Sequence, residues 1–173
     1  MAAQLLSPPE HTLLDPQIPM VFLAGPIQGT DDWQHGASEH FLRRHSRLYV
    51  ANPRREYMDG SFDYSAQVDW ESAHLRRAAD HGVIFFWLAK ESEHHPERAY
   101  AQTTRFELAE WVARAGHRKV RIVIGIEDGF SGARYIRHRV GQDRPEIPIL
   151  DDLETSLAAV DDLLPVSAIS IPE

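Results

Sequence analysis

The amino-acid sequence predicts an open α/β fold in which a mainly parallel sheet carries helices on both faces. Short apolar runs alternate along the chain with longer segments of helical period, which is the order expected of strand–helix–strand units. The apolar runs near residues 82 and 119 are continuous rather than alternating, as in strands that are buried on both faces. A chain of 173 residues with 43% hydrophobic and 25% charged residues matches one globular domain.

The apolar runs and the periodic segments predict five strands and five helices. The strands are expected over residues 20–24, 47–51, 82–88, 119–125 and 147–150. The helices are expected over residues 32–46, 65–79, 104–116, 131–140 and 153–163. Thr30 or Asp31 is suited to cap the first helix at its N-terminus, and Gly116 is suited to end the third.

The N-terminal segment differs from the rest of the chain. Residues 1–19 contain four prolines and little periodicity, which predicts an extended arm that lies on the surface or on a neighbouring subunit. A single domain is therefore expected over residues 20–173.

Charge and composition exclude several classes of function. The net charge of −8 repels a polyanion, so long nucleic acid is not expected as a partner. The chain has no cysteine, and its ten histidines show no ligand-like spacing, so neither a metal nor another cofactor is expected. No leader pattern and no apolar stretch of about 18 residues is present, which predicts a cytoplasmic protein without membrane association.

A glutamate near the start of the predicted third helix is the strongest candidate for chemistry. In one interpretation, Thr104-Arg105-Phe106-Glu107 is a capping box, and the glutamate hydrogen-bonds back to the start of its helix. In the other, backbone N–H groups at the helix N-terminus keep the Glu107 carboxylate ionised, as a nucleophile that attacks a sugar carbon requires. The two interpretations are compatible with each other.

Small and basic residues follow the first two predicted strands, at the sheet edge where open α/β folds bind ligands, and the segment 88–104 is expected at the same edge. Gly25 and Pro26 allow either a close approach of the backbone to a ligand or a tight turn into the first helix. After the second strand, Arg54 and Arg55 can bind a phosphate or remain solvated. A third possibility is that they pair with nearby carboxylates, namely Asp59, Asp63 and Asp69.

Polar residues and a tryptophan open the predicted second helix. Asp69 and Glu71 suit the helix macrodipole there, and either can also serve as an acid or base. Trp70 is large enough to stack on a planar base if its face opens toward the cleft.

Taken in order, these motifs resemble those of the nucleoside 2-deoxyribosyltransferase-like family, from about Val21 to about Gly125. The resemblance depends on six short segments: 22–27, 32–34, 52–55, 67–71, 79–80 and 104–108. It implies a flavodoxin-like three-layer sandwich with a five-stranded, mainly parallel sheet. It also implies a nucleoside or nucleotide and a free nucleobase as small-molecule partners, and a homo-oligomer.

The resemblance further implies roles for individual residues. Glu107 is expected to attack C1′ of a deoxyribosyl group and release the base, after which a second base or water takes the sugar. Asp69 or Glu71 is expected to protonate the departing base. The residues expected to bind substrate are Gly25 and Pro26 at the sugar, Gln28, Trp33 and Trp70 at the base, Thr104 in the motif of the nucleophile, and Arg54, Arg55 or Arg105 at a 5′-phosphate.

Two departures from the family pattern indicate a divergent branch. Ala101 stands where many members have an aspartate six residues before the nucleophile, and Ala109 stands where they commonly have glycine. Three functions therefore remain open from the sequence: transfer of the sugar between bases, hydrolysis of a (deoxy)nucleotide, and nucleotide binding without catalysis.

Overall fold

The computed structural model describes residues 2–55 and 63–165. Asp59 and the end of the expected domain, residues 166–173, lie outside these ranges. The strands are β1 Gln4–Leu6, β2 Met20–Ala24, β3 Tyr49–Ala51, β4 Gly82–Leu88, β5 Ile122–Ile126 and β6 Ile149–Leu150. The helices are α1 Trp33–Arg44, α2 Tyr64–Asp80, α3 Gln102–Ala115, α4 Ala133–Asp143 and α5 Leu153–Leu163.

The strands form one parallel sheet in the order β1-β3-β2-β4-β5-β6. Without β1, the order along the sheet is the second, first, third, fourth and fifth strand of the chain, which is the flavodoxin-like order. The predicted flavodoxin-like α/β fold is thus confirmed.

The predicted number of five strands is wrong, because the described part of the sheet has six. The additional strand, β1, lies within the segment expected to form an arm, and its Leu6 pairs with Ala51 of β3. Leu6 is buried, whereas Leu5 is 47% exposed. An edge strand of three residues is too short to produce a periodic signal of its own, so only its pairing with β3 defines it.

Alternation along the strands divides the core into two layers. In β4, Phe86 faces a core that includes residues of α2, α3 and α4, whereas Phe85 faces a core that includes residues of α1 and α5. Successive side chains of a strand point to opposite faces, so a continuous apolar run serves both layers at once. The result is a three-layer sandwich with every residue of β4 buried.

The chain between β1 and β2 packs against α2 of the same molecule. The Arg77 guanidinium donates to the backbone oxygens of Asp15, Pro16 and Ile18 at 2.9, 3.0 and 2.7 Å. Trp70 Nε1 donates to the Glu10 carbonyl at 2.9 Å. These bonds satisfy backbone acceptors of a segment that has no regular secondary structure.

The helix ends differ in part from the predictions. The N-cap of α1 is Asp32, whose carboxylate accepts from His35 N at 3.0 Å, so the cap lies beyond the predicted Thr30 and Asp31. Gly116 follows α3 as its C-cap, as predicted, but with a right-handed φ of −69°. No helix in the described ranges is long and apolar enough to cross a bilayer.

Candidate active site

A cleft of about 330 Å³ opens at the carboxyl ends of β2 and β3. Its walls come from Gly25–Gln28 after β2, from Pro53 after β3, from one side of α2, from the loop after β4 and from the first two turns of α3. The chain order reverses between β2 and β4, and ligands of doubly wound sheets bind at such a switch point. The cleft volume suits a small molecule.

The helix that carries Glu107 begins earlier than predicted. Helix α3 starts at Gln102, and its N-cap is Ala101, which has a left-handed φ of 55° and makes no capping hydrogen bond through its side chain. Glu107 therefore lies in the second turn, and the predicted capping box with Thr104 does not form. Thr104 is buried, and both Thr104 and Glu107 line the cleft.

The Glu107 carboxyl is in an environment that disfavours its charged form. Burial, followed by the negative charges of Glu71 and Glu110, raises the pKa of Glu107 to about 8 from an ordinary value of 4.5. The prediction that backbone N–H groups keep Glu107 ionised is therefore wrong, because the side chain lies one turn beyond the free N–H groups and close to another acid. In the free protein at neutral pH, Glu107 is mostly protonated.

Glu71 lies on α2 and lines the same cleft as Glu107. Gln67, one turn earlier on α2, donates from Nε2 to Glu71 Oε1 at 2.7 Å and to the Pro53 carbonyl at 3.1 Å. Burial raises the pKa of Glu71, and the hydrogen bond from Gln67 opposes part of this rise. Gln67 thus links Glu71 to the chain segment that follows β3.

Asp69 is not brought to the cleft. It is exposed on α2 and is not among the residues that line the cleft. Two residues along an α-helix correspond to a rotation of about 200°, so Asp69 and Glu71 face nearly opposite directions. Of the two acids predicted to assist the nucleophile, the structure brings only Glu71 into the cleft that Glu107 lines.

The model of a protein family described as nucleoside 2-deoxyribosyltransferase like matches residues 18–130. This match covers every cleft-lining residue, Glu71 and Glu107 among them. The chain belongs to this family. No curated protein matches the chain.

Membership of the nucleoside 2-deoxyribosyltransferase-like family confirms the resemblance seen in the sequence. It supports activity of the glycosyl transferase or hydrolase kind on small nucleoside substrates. Within the described part of the chain, no group of three or more His, Asp or Glu side chains is arranged to hold a metal ion.

The two tryptophans that the family motifs suggested as base contacts are both buried outside the cleft lining. Trp70 is fully buried, and its ring stacks on His74 with 3.9 Å between centroids. Trp33 donates from Nε1 to the Pro26 carbonyl at 3.1 Å and packs behind Gly25, where a Cβ atom would lie 2.6 Å from the Trp33 ring. Trp33 therefore packs against the turn after β2 and does not line the cleft.

Sequence reasoning missed an aromatic residue that does line the cleft. Tyr64 is the first residue of α2, lines the cleft and is 71% exposed. Val68 lies one turn later on the same side and also lines the cleft. The prediction placed the start of this helix at residue 65, so Tyr64 was not associated with the motif that follows it.

The arginines predicted to bind a phosphate are engaged elsewhere. Arg54 donates from Nε to Gln34 Oε1 at 3.0 Å and pairs with Asp32 at 3.1 Å, which braces the β2–α1 turn. Arg105 donates to both the backbone carbonyl and the hydroxyl of Ser131 at 2.8 Å. Arg55 is partly buried and does not belong to the cleft lining.

The loop between β4 and α3 forms one wall of the cleft, as expected for the segment 88–104, although no individual residue of the loop was singled out. Tyr100 donates from its hydroxyl to the Ala89 carbonyl at 2.7 Å, and burial raises the pKa of Tyr100 to about 12. Ser92 N donates to the Gly29 carbonyl at 2.8 Å, which joins this loop to the β2–α1 turn. The position of the loop after a strand predicted its place at the cleft, but residues of an irregular loop carry no periodic pattern that would single out Tyr100 or Ser92.

Proposed function

We propose that this protein cleaves the N-glycosidic bond of a (deoxy)nucleoside through a glutamyl–sugar ester on Glu107 and transfers the sugar to another base. The observation that carries the proposal is that Glu107 and Glu71 line one cleft at the switch point of the sheet, with the pKa of Glu107 raised to about 8. Two interacting carboxyls in one cleft are the groups required for nucleophilic and acid–base catalysis at an anomeric carbon.

In the first step, a Glu107 carboxylate oxygen attacks C1′ while the bond between C1′ and the base nitrogen breaks. The bonding electron pair leaves with the base, and Glu71 supplies the proton that neutralises it. The transition state resembles an oxocarbenium ion, which the negative charge of Glu107 stabilises before the ester forms. In the second step, Glu71 takes a proton from the incoming base, whose nitrogen attacks C1′ and releases Glu107.

The proposed mechanism requires the pair to exchange a proton before the first step. In the free protein, the raised pKa of Glu107 and the hydrogen bond from Gln67 to Glu71 favour the proton on Glu107. Catalysis requires an ionised Glu107 and a protonated Glu71. A coupled pair of carboxyls titrates as a unit, and the proposal therefore requires that substrate binding shift the shared proton from Glu107 to Glu71.

The walls of the cleft support an orientation for the substrate. Gly25 and Pro26 offer backbone to the sugar, while the exposed Tyr64 ring offers a flat apolar face on α2 to the base. Glu71 lies on the same helix as Tyr64, which supports the assignment of the acid to the side of the leaving base.

Hydrolysis is a second candidate, and the exposure of the cleft mouth favours it. Ala99, Gln102 and Thr103 line the cleft and are exposed to solvent. Water therefore has access to the region near the proposed sugar ester on Glu107, and it can replace the second base as the acceptor.

The test is chromatography of the purified protein after incubation with a panel of deoxynucleosides and their 5′-monophosphates, with and without a different free base. A new nucleoside or nucleotide that forms only with the added base supports transfer. Release of free base without exchange supports hydrolysis. No conversion across the panel contradicts both and leaves a nucleotide-binding module without catalysis.

Variants test the two assigned roles. Glu107→Gln is expected to abolish base release, and a sugar adduct detected by mass spectrometry in the wild-type protein should map to the peptide that contains Glu107. Glu71→Gln is expected to slow base release by at least about 100-fold. Asp69→Asn is the matched control, because it removes an exposed carboxylate two residues away and should retain activity.

A further inference from the structure

Arg98 is the one arginine or lysine among the cleft-lining residues of the described chain. It lies in the loop between β4 and α3, and its side chain is exposed. Its guanidinium makes no hydrogen bond or ion pair with the residues that the structure describes, and only its backbone N–H is bonded, to the His95 carbonyl at 3.2 Å. A guanidinium carries five donors, all of which remain available here.

The acidic residues of the same loop are paired with histidines rather than with Arg98. His94 Nδ1 lies 2.9 Å from Glu91 Oε1, and His95 lies 3.8 Å from Glu93 and 3.6 Å from Glu97. Among the described residues, Arg98 thus has no ion-pair partner, although its loop contains three glutamates. Its position suits the recognition of a group that arrives with the ligand.

We propose that Arg98 binds a phosphate on the sugar of the substrate, so that the protein acts on a nucleoside 5′-monophosphate in preference to the nucleoside. This inference rests on the proposed function, since it names the substrate class of the same cleft. Planar, bidentate donation to phosphate oxygens is the interaction for which arginine is best suited.

The sugar, rather than the base, is the part of the substrate that lies nearest to Arg98 in the proposed orientation. Arg98 belongs to the segment that leads directly into α3, the helix that carries Glu107, the proposed nucleophile at C1′. The exposed Tyr64 ring and Glu71, which are assigned to the base, lie on α2. The first turn of α3 adds backbone N–H groups that no side chain caps, and these groups favour an anion beside Arg98.

A phosphate at Arg98 also remains clear of the two carboxyls assigned to catalysis, and the third carboxyl that lines the cleft, Glu91, is paired with His94 at 2.9 Å. Glu107 lies five residues after the start of α3, which corresponds to about 7.5 Å along the helix axis. The phosphate is thus kept at the mouth of the cleft, and the uncharged sugar and base occupy the part near Glu71 and Glu107. A net charge of −8 makes one local cation all the more important for an anionic substrate.

The test compares kcat/KM for base release from a deoxynucleoside and from its 5′-monophosphate in the wild type, Arg98→Ala and Arg98→Lys. The wild type is expected to prefer the 5′-monophosphate. Arg98→Ala is expected to lower kcat/KM for the 5′-monophosphate by about 10- to 100-fold and to leave kcat/KM for the nucleoside unchanged. Arg98→Lys should retain part of the preference. Arg76→Ala, which removes an exposed arginine of α2 outside the cleft lining, is the charge-matched control and should leave the preference intact.

Two further measurements test whether a preference for the phosphate is specific to the 5′ position and whether it persists without turnover. A 3′-monophosphate tests whether any phosphate suffices; equal preference for the 3′- and 5′-esters contradicts a dedicated 5′-phosphate site. A wild type that releases base equally well from both substrates overturns the inference and leaves the proposed function standing. If no substrate releases base, calorimetric binding of the nucleoside and of its 5′-monophosphate decides, and equal affinity or no binding overturns the inference.

Discussion

Glu71 on α2 and Glu107 on α3 line one cleft, and the negative charge of Glu71 contributes to raising the pKa of Glu107 to about 8. This relationship joins two helices that are separated by a strand and a loop in the sequence. The protonation of Glu107 therefore depends on the charge of Glu71.

The titration of Glu107 is expected to depend more on Glu71 than on Glu110. Glu71→Gln should lower the pKa of Glu107 below about 8, because the negative charge of Glu71 raises this pKa more than that of Glu110 does. Glu110→Gln should lower that pKa by less. Carboxyl ¹³C NMR gives the value directly, with the Glu107 signal identified by its loss in Glu107→Gln. An unchanged pKa of Glu107 in Glu71→Gln contradicts the pairing.

The rate of sugar attachment is expected to fall as the pH rises above about 8. The proposed first step requires one proton on the pair, held by Glu71 while Glu107 is ionised, and the pair loses this proton above about 8, the raised pKa of Glu107. The single-turnover rate of base release should therefore fall through this pH in the wild type and in Asp69→Asn alike, since Asp69 does not line the cleft. A rate that continues to rise above about pH 8 would contradict the shared proton.

Glu107 is expected to destabilise the folded protein at neutral pH. Because its folded pKa of about 8 exceeds the ordinary 4.5, the folded state binds more protons than the unfolded state between these values, and stability falls as the pH rises through this window. At pH 7, Glu107→Gln should raise the free energy of unfolding by about 3 kcal/mol. The gain should vanish below about pH 4.5 and level off above about 8.

Urea denaturation of the wild type and of Glu107→Gln at several pH values checks this prediction. Glu39→Gln is the control, because Glu39 is an exposed acid of α1 whose ion pair with Arg43 spans 3.4 Å. Its effect should stay within about 1 kcal/mol at every pH. A pH-independent gain in Glu107→Gln would show that packing, rather than the buried charge, is responsible.

Ala101 holds a backbone conformation that favours glycine. Its φ of 55° lies in the left-handed region, which is costly for a residue with a Cβ atom. Ala101→Gly should therefore raise the free energy of unfolding by up to about 1 kcal/mol. Ala109→Gly, at an exposed position within the same helix, should lower it by about 1 kcal/mol. Thermal or urea unfolding measures both, and a loss of stability in Ala101→Gly would contradict the left-handed conformation.

Asp161 is expected to stabilise the contact between α1 and α5. Its carboxylate accepts from His40 Nε2 at 2.9 Å, from His45 Nε2 at 2.7 Å and from Arg44 Nε at 2.7 Å. Although burial raises the pKa of Asp161, hydrogen bonds from His45 and His40 lower it overall, below the ordinary 3.8. Asp161→Asn should cost about 2 kcal/mol of unfolding free energy at neutral pH.

The pH dependence of that loss has a definite sign. A lowered pKa means that the stabilisation is present above the ordinary value of 3.8 and disappears as the pH falls through the lowered pKa of the folded state. The difference between the wild type and Asp161→Asn in urea denaturation should therefore shrink in strong acid. Asp162→Asn, a change at the exposed neighbouring acid, should have little effect at any pH.

Elements with a strong local pattern were predicted closely. The bounds of β2, β4 and α5 agree with the predicted 20–24, 82–88 and 153–163, because each has a continuous apolar run or a clear helical period. In contrast, β1 was missed and α3 begins two residues early. Strand β1 is defined only by its pairing with β3, and the start of α3 depends on a left-handed Ala101 that no sequence pattern indicates.

The sequence by itself determined the α/β alternation and the family, and it predicted Glu107 as the nucleophile, because apolar periodicity and ordered motifs are local properties of the chain. Only the tertiary structure showed that the described residues lining the cleft include Glu71 rather than Asp69, Tyr64 rather than Trp33 and Trp70, and Arg98 rather than another arginine. The physical reason is that a side chain's direction depends on the phase of its helix and on which neighbours bury it. A residue type at a given position in the chain specifies neither.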